Sequence, residues 1–251
     1  KKENFELRRN MQMIFQDPYS SLNPKKTVRQ ILSEPYMINR ETFEGDIEQK
    51  VLELCEMVAL PRNLLDHYPH ELDGGMRQVV GIARALSLSP DFIVCDEPVS
   101  SLDVSVQARI VNLLIDIQKQ QNIAYLFISH DLSVVRHISN DIAVMYLGQI
   151  VELANADEMF NQPMHPYSIA LLSAVPRIGQ KMDRIILQGD VPSPIDPKPG
   201  CRFAPRCWMA KENCLNGETP ELCEVSPGHF VACPYAKEAV DKWMEISNNS
   251  F

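Results

Sequence analysis

Four polar side chains follow apolar stretches at spacings that suit phosphate or metal chemistry. Asp96 and Glu97 end the stretch FIVC, His130 follows YLFIS, and Gln16 follows MQMIF. One acid at the end of a buried strand can hold Mg²⁺, and a second acid can polarise an attacking water. The carboxyl ends of parallel strands lie at one edge of a sheet, where ligands of such folds bind. The sequence therefore predicts a single polar site built from these strand ends.

Each of these residues also has a structural interpretation. An adjacent pair of acids is often a solvated strand end, and a single histidine after a strand is often incidental. Asp103 precedes the amphipathic stretch 104–121 and suits the N-cap of a helix. The functional interpretation depends on all of these groups lying at one edge of one sheet.

A second candidate site lies in the stretch ELDGGMRQVVGIARAL, where two glycines lead into a predicted helix over residues 76–88. Glycines at a helix N-terminus let backbone N–H groups approach a phosphate. Asp73 stands directly before Gly74 and Gly75, with Met76 after them. An ionised Asp73 only accepts hydrogen bonds, so it would cap the helix and repel a phosphate.

Five of the seven cysteines lie between residues 201 and 233. Cys201, Cys207, Cys214 and Cys233 are separated by five, six and eighteen residues, and Cys223 is a fifth candidate. This spacing matches neither the CxxC pairs of zinc ribbons nor a ferredoxin run. The segment is rich in proline and has no evident apolar core, so a metal or a cross-link could supply stability. Free thiols and a disulfide are the alternatives, and the absence of an export signal disfavours the disulfide.

The elements that must position these residues alternate between strands and helices. Apolar strands at 11–15, 92–95 and 125–129 and helices at 76–88 and 104–121 predict an α/β fold, with a parallel sheet covered on both faces. Residues 25–72 read as helical, and a hairpin-like pair ends at 153. Two short helices, a proline-rich linker over 191–200, the cysteine segment and a polar helix follow. We therefore expect one domain over 1–153, with a helical subdomain at about 17–90, and a second region over 154–251.

Composition excludes several classes of protein. The 251 residues are 45% hydrophobic and 23% charged, with a net charge of −9, which disfavours nucleic acid as a partner. The longest apolar runs are far shorter than the roughly 20 residues that span a bilayer. The charged N-terminal stretch is not a signal peptide.

The order IFQDP, ELDGGMRQVVGIARAL, IVCDEPVSSLD, FISHD resembles the nucleotide-binding subunits of ABC transporters. SSLNPKKTV, NQPMHPYSIALLSAVP and GCRFAPRC are similar to the oligopeptide/dipeptide importer branch. The resemblance implies a P-loop NTPase-like ABC nucleotide-binding domain, incomplete at its N-terminus. A helical subdomain and a small, irregular, metal-binding C-terminal appendage would accompany it.

The resemblance also implies roles for the candidate residues. Asp96 would hold Mg²⁺, Glu97 would be the general base, His130 would contact the γ-phosphate of ATP, and Gln16 would sense Mg²⁺. The D-loop residues Ser101 and Asp103 would lie at the interface with a second ATPase subunit, whose ATP would face Asp73, Gly74, Gly75 and Met76. Cys201, Cys207, Cys214 and Cys233 would hold a [4Fe–4S] cluster, with zinc as the alternative.

The implied assembly is a peripheral one on the cytoplasmic face of a prokaryotic inner membrane. A homologous ATPase subunit would form a heterodimer with this chain, two membrane permease subunits would bind the pair, and an external binding protein would act indirectly. Hydrolysis of ATP would power the import of peptides or related small solutes.

Two features depart from the family pattern. None of the ten glycines begins the phosphate-binding loop G-x-x-x-x-G-K-[ST], which indicates N-terminal truncation. Asp73 and Met76 replace the serine and glutamine of the signature. We therefore expect this chain to be inactive alone. The alternatives are a non-catalytic structural or regulatory subunit, a decayed gene product, or an ABC ATPase of translation or repair.

Overall fold

The computed structural model describes residues 2–40, 43–175, 184–193, 195–197 and 199–248. The chain divides into two compact units, Lys1–Val134 and Val135–Phe251, and each contains one β-sheet. This division comes earlier in the chain than the boundary at 153 expected from the sequence. The hairpin falls in the second unit because its strand 149–155 pairs with a strand at 229–231.

The sheet of the first unit is parallel, as predicted. It consists of β1 (Met11–Ile14), β2 (Phe92–Asp96) and β3 (Ala124–Ile128) in the order β1-β2-β3. In the register, Ile14 lies beside Cys95 and Asp96 lies beside Ile128. The carboxyl ends of all three strands therefore meet at one edge.

Seven helices of the described residues begin in this unit. They are α1 (Lys2–Asn10), α2 (Pro18–Ser21), α3 (Val28–Ile38), α4 (Ile47–Met57), α5 (Gly74–Leu86), α6 (Val104–Gln121) and α7 (Leu132–Ile138). The helix α1 was not predicted, because the first element expected from the sequence is the strand at 11–15. Between 17 and 90, the part of the chain that the structure describes contains helices and turns but no strand. The helical subdomain expected at about 17–90 stays a prediction.

Only one face of the parallel sheet is buried, so the prediction of a sheet covered on both faces is wrong. Ile14, Ile93 and Cys95 are buried on one face. On the other face Leu126 is 50% exposed and Ile128 is 43% exposed. The apolar run of β3 suits burial on two sides, but helices of the described residues cover one side only.

The sheet of the second unit is antiparallel and combines the hairpin with strands from the cysteine-rich segment. Its strands are β4 (Asp141–Tyr146), β5 (Gln149–Asn155), β6 (Cys223–Ser226) and β7 (His229–Val231), in the order β4-β5-β7-β6. The C-terminal region is thus less irregular than predicted, because β6 and β7 extend the sheet formed by the hairpin.

Short helices complete the second unit. These are α8 (Ala156–Asn161), α9 (Pro166–Ser173), α10 (Glu212–Asn216) and α11 (Ala236–Asn248). The described residues of the proline-rich stretch 191–200 form neither helix nor strand, as predicted. Within the described ranges, every helix is too short or too polar to cross a lipid bilayer.

Candidate functional site

Three of the predicted site residues are hydrogen-bonded to one another at the carboxyl edge of the parallel sheet. Gln16 Nε2 donates to Glu97 Oε2 at 2.9 Å. His130 Nδ1 lies 3.2 Å from Glu97 Oε1. The imidazole is 73% exposed, whereas the Glu97 side chain is 26% exposed. A carboxylate held between an amide and an accessible imidazole can accept a proton from water at this edge.

The backbone at Glu97 is held in an uncommon conformation. Its φ of 43° lies in the left-handed region, which costs a residue with a side chain about 1–3 kcal/mol. The Glu97 N–H donates to the carbonyl of Ile128 at 3.0 Å, and Ser100 Oγ donates to the Glu97 carbonyl at 3.1 Å. These bonds turn the chain sharply after β2 and direct the carboxylate to the sheet edge.

The other residues of this predicted site lie close in sequence but do not join the hydrogen-bonded group. Asp96 is the last residue of β2, and Ser101 is exposed in the turn that follows. Asp103 caps α6, because its Oδ1 accepts from Ser105 N at 3.1 Å and from Val106 N at 3.0 Å. Hydrogen bonds from the Ser105 hydroxyl and the Val106 amide lower the pKa of Asp103.

Asp73 caps α5, as the sequence predicted. Its Oδ1 accepts from the N–H of Met76 at 2.7 Å. Gly75 permits close packing against α6, since a Cβ atom there would lie 2.7 Å from Val106 Cγ1. The same Cβ position lies 3.2 Å from Arg109 Nη2 and 3.4 Å from Asp73 Oδ1. Sequence reasoning missed this arginine, whose guanidinium group lies at the packing contact between Gly75 and α6.

Four cysteines of the C-terminal segment lie within electrostatic range of one another. Burial raises the pKa of the Cys233 thiol to about 12, and the charges of Cys201, Cys207 and Cys214 add to the increase. Burial likewise raises the pKa of Cys207 to about 11, with contributions from Cys201 and Cys214. Cys223 is exposed on β6 and takes no part in these interactions. These are the four cysteines that the resemblance to the peptide-importer branch implies as ligands.

The chain folds closely around these cysteines. Cys201 N donates to the carbonyl of Cys214 at 2.8 Å. Gly200 has φ +95°, and a Cβ there would lie 2.5 Å from the Cys214 carbonyl oxygen. Nonetheless, no three His, Cys, Asp or Glu side chains in the described ranges are arranged to hold a metal ion. The predicted metal-binding appendage is therefore not supported as a preformed site for a single ion.

A buried polar group in the second unit was not found from the sequence. Glu152 on β5 is fully buried, and His165 and His229 are each 1% exposed. Glu152 accepts hydrogen bonds from the N–H groups of Met164 and His165 and lies 2.8 Å from His229 Nε2. The only signal in the sequence is a single acid inside the apolar strand IVELA, which pattern analysis treats as a solvated position.

The two units match two family models. Residues 1–100 match the ABC transporter model, and residues 151–214 match the model of the oligopeptide/dipeptide transporter C-terminal region. The fold is therefore that of an ABC transporter ATP-binding domain. The chain belongs to this family, with the C-terminal region of its oligopeptide/dipeptide members.

Two similar proteins agree with this placement. The oligopeptide transport ATP-binding protein AppF of Bacillus subtilis is 50% identical over 231 residues, which cover 90% of this chain and 70% of that protein. The dipeptide transport ATP-binding protein DppF of Haemophilus influenzae is 47% identical over 228 residues, covering 90% of this chain and 69% of that protein.

Two solved structures resemble this fold. The ATP-binding cassette MJ0796, in a dimeric post-hydrolysis state with ADP and Pi, is 25% identical with a TM-score of 0.54, covering 62% of this chain and 67% of that one. The structure of cbiO1 from Clostridium perfringens, part of the ABC transporter complex cbiONQ, is 26% identical with a TM-score of 0.57, covering 64% of this chain and 62% of that one.

Proposed function

We propose that this chain is the ATP-binding and ATP-hydrolysing subunit of an ABC transporter that imports peptides. The observation that carries the proposal is the placement of Glu97 between Gln16 and His130 at the carboxyl edge of the sheet. Water would attack the γ-phosphorus and lose its proton to the Glu97 carboxylate, while the bond to the β-phosphate oxygen breaks. Asp96 and Gln16 would hold Mg²⁺, and His130 would contact the γ-phosphate.

Replacement of the proposed base tests this assignment. In the assembled transporter, Glu97→Gln should lower the ATP turnover number by about 100-fold or more, because a general base contributes roughly that factor. ATP binding should persist, since the amide keeps the size of the side chain. Glu221→Gln, an exposed acid in the second unit, is the control. A Glu97→Gln transporter that keeps more than a tenth of its turnover would exclude Glu97 as the base.

The same variant separates the proposal from its alternative, a non-catalytic structural or regulatory subunit. The 251 residues contain no G-x-x-x-x-G-K-[ST] loop, which in related ATPases cradles the phosphates. We expect this chain alone to show no ATP binding by calorimetry at about 1 mM nucleotide. If Glu97→Gln leaves the turnover of the complete transporter unchanged, this subunit has the non-catalytic role.

The partners follow from the same family placement. We propose a heterodimer with a homologous ATPase subunit, in which Ser101 and Asp103 lie at the interface and Asp73, Gly74, Gly75 and Met76 face the partner's ATP. Two permease subunits would anchor the pair to the cytoplasmic face of the membrane, and an external binding protein would deliver peptide. AppF is an oligopeptide transport and DppF a dipeptide transport ATP-binding protein, which supports this proposal. Affinity purification of this chain should retain both permeases.

We also propose that the grouped cysteines bind a [4Fe–4S] cluster. A cluster of this kind takes one thiolate at each of its four irons, so its ligands stand farther apart than those of a single ion. Cys201, Cys207, Cys214 and Cys233 interact with one another electrostatically, and they supply the four thiols that such a cluster requires. The cluster would cross-link a segment of the chain that has a small apolar core.

Anaerobic purification tests the cluster. The protein should be brown and contain about four irons and four sulfides per chain. Cys223→Ser should leave the iron content unchanged, whereas Cys214→Ser should reduce it. Colourless protein that carries one zinc per chain would favour the zinc alternative instead.

A further inference from the structure

The loop between β2 and α6 is bridged by one side chain that the proposed mechanism does not use. Gln107, in the first turns of α6, donates from Nε2 to the carbonyl of Val99 at 2.9 Å and to that of Leu102 at 3.1 Å. Its backbone N–H donates to the Asp103 carbonyl at 2.8 Å. One residue is thus bonded to three successive parts of the loop.

The two ends of this loop carry two residues of the proposed site. Glu97 begins the loop in a left-handed conformation, and Asp103 ends it as the cap of α6. Ser100 bonds only to the carbonyl of Glu97, through its N–H at 3.3 Å and its hydroxyl at 3.1 Å. In the second half of the loop, the carbonyls of Val99 and Leu102 accept from the Gln107 side chain, and the Asp103 carboxylate bonds to the first turn of α6.

We propose that Gln107 is a positioning residue that holds the Glu97–Asp103 loop in the conformation that keeps Glu97 between Gln16 and His130. The Val99 carbonyl also accepts from the Leu102 N–H at 3.1 Å, so the Gln107 amide is its second donor and the one that ties this turn to α6. Without the bridge, the strained backbone at Glu97 would relax. The consequence for catalysis rests on the proposed function, but the restraint on the loop does not.

Amide hydrogen exchange measures the restraint directly. Gln107→Met keeps the length of the side chain and removes the donor, so exchange of the amides over 98–103 should accelerate by about 10-fold. Gln120→Met, an exposed position near the end of the same helix, is the matched control and should match the wild type. Unchanged exchange over 98–103 in the Gln107 variant would overturn the proposal.

Gln107→Glu provides a second test, whose expected result is a pH-dependent exchange rate that global unfolding would not produce. The ionised carboxylate can only accept, whereas the neutral acid donates one hydrogen bond. Relative to wild type at the same pH, exchange over 98–103 should be fast at pH 8 and slower at pH 4.5, near the ordinary pKa of about 4.3 for glutamate. If Gln107→Met does not fold, the pH comparison with Gln107→Glu tests the proposal instead. Exchange over 98–103 in Gln107→Glu that is the same relative to wild type at both pH values would refute the hydrogen-bonded bridge.

Turnover by the assembled transporter connects the bridge to the site. Gln107→Met should lower the turnover number by about 10-fold while the KM for ATP changes by less than about 3-fold, because Glu97 and not the nucleotide is displaced. A wild-type transporter without ATPase activity would refute the proposed function alone, since the exchange result would still stand. Faster exchange with unchanged turnover would refute the positioning role.

Discussion

Replacement of the buried Glu152 tests how much its hydrogen bonds stabilise the second unit. Glu152 Oε1 accepts from Met164 N at 2.6 Å and lies 2.8 Å from His229 Nε2, while Oε2 accepts from His165 N at 3.0 Å. Glu152→Gln keeps the size of the side chain but replaces one accepting oxygen with a donating NH₂ group. The amide can therefore satisfy only part of this arrangement.

The geometry sets the expected loss of stability. In the better orientation the amide oxygen takes the place of Oε1, and the NH₂ group then faces the N–H of His165. One hydrogen bond is lost and two buried donors have no acceptor, at about 1–3 kcal/mol for each buried donor left unsatisfied. The free energy of unfolding should fall by about 2–6 kcal/mol. The reverse orientation would lose two bonds and cost more.

Tryptophan fluorescence in a urea titration isolates this unit, because both tryptophans of the chain, Trp208 and Trp243, lie in it. Trp243 is 2% exposed, so its emission should shift on unfolding. The control Glu221→Gln, at an exposed position, should change stability by less than about 0.5 kcal/mol. A change of less than about 1 kcal/mol for Glu152→Gln would refute the reasoning that these hydrogen bonds are buried and required.

Three further predictions concern other parts of the chain. Asp73→Ser should raise the turnover of the assembled transporter by about 10-fold, because a serine can donate to a phosphate that Asp73 repels; an unchanged rate would contradict the repulsion. Gly200→Ala should destabilise the second unit by about 2–3 kcal/mol, because its Cβ would lie 2.5 Å from the Cys214 carbonyl. Gly228→Ala, with a similar positive φ and no neighbour within 4 Å, should cost less in the same urea titration. Burial lowers the pKa of His165 to about 4, so stability should be complete above about pH 6.5 and fall by about 3 kcal/mol between pH 6.5 and 4. His165→Asn should flatten this dependence in urea titrations at several pH values, because Asn still caps α9 but does not titrate; an equal slope would contradict the assignment.

Signals carried within a few residues of sequence were sufficient for much of the fold. The helix α6 runs from Val104 to Gln121, as predicted, because Asp103 caps its start and Asn122 ends it with a positive φ. The order of apolar strands and amphipathic helices was likewise sufficient to predict a parallel sheet. Polar residues directly after each strand then indicated where its site would lie.

Interactions between distant residues account for what the sequence did not predict. The Glu152 and His229 side chains are 77 residues apart along the chain, and an isolated acid in an apolar strand gives no indication of its partners. The pairing of β7 with β5 of the hairpin likewise joins segments that are far apart in sequence. The continuous apolar run of β3 indicates two buried faces, but whether helices cover both depends on the rest of the fold.

The sequence by itself determined the elements, their caps and the polar groups at the sheet edge, because hydrophobic periodicity and capping act over one or two turns of chain. The tertiary structure alone decided that Gln16 and His130 hold Glu97 from two sides, that Gln107 bridges the adjoining loop, and that Glu152 is buried between two histidines. Those contacts exist only after strands far apart in sequence have paired, because their hydrogen bonds are directional and depend on the register of the sheet.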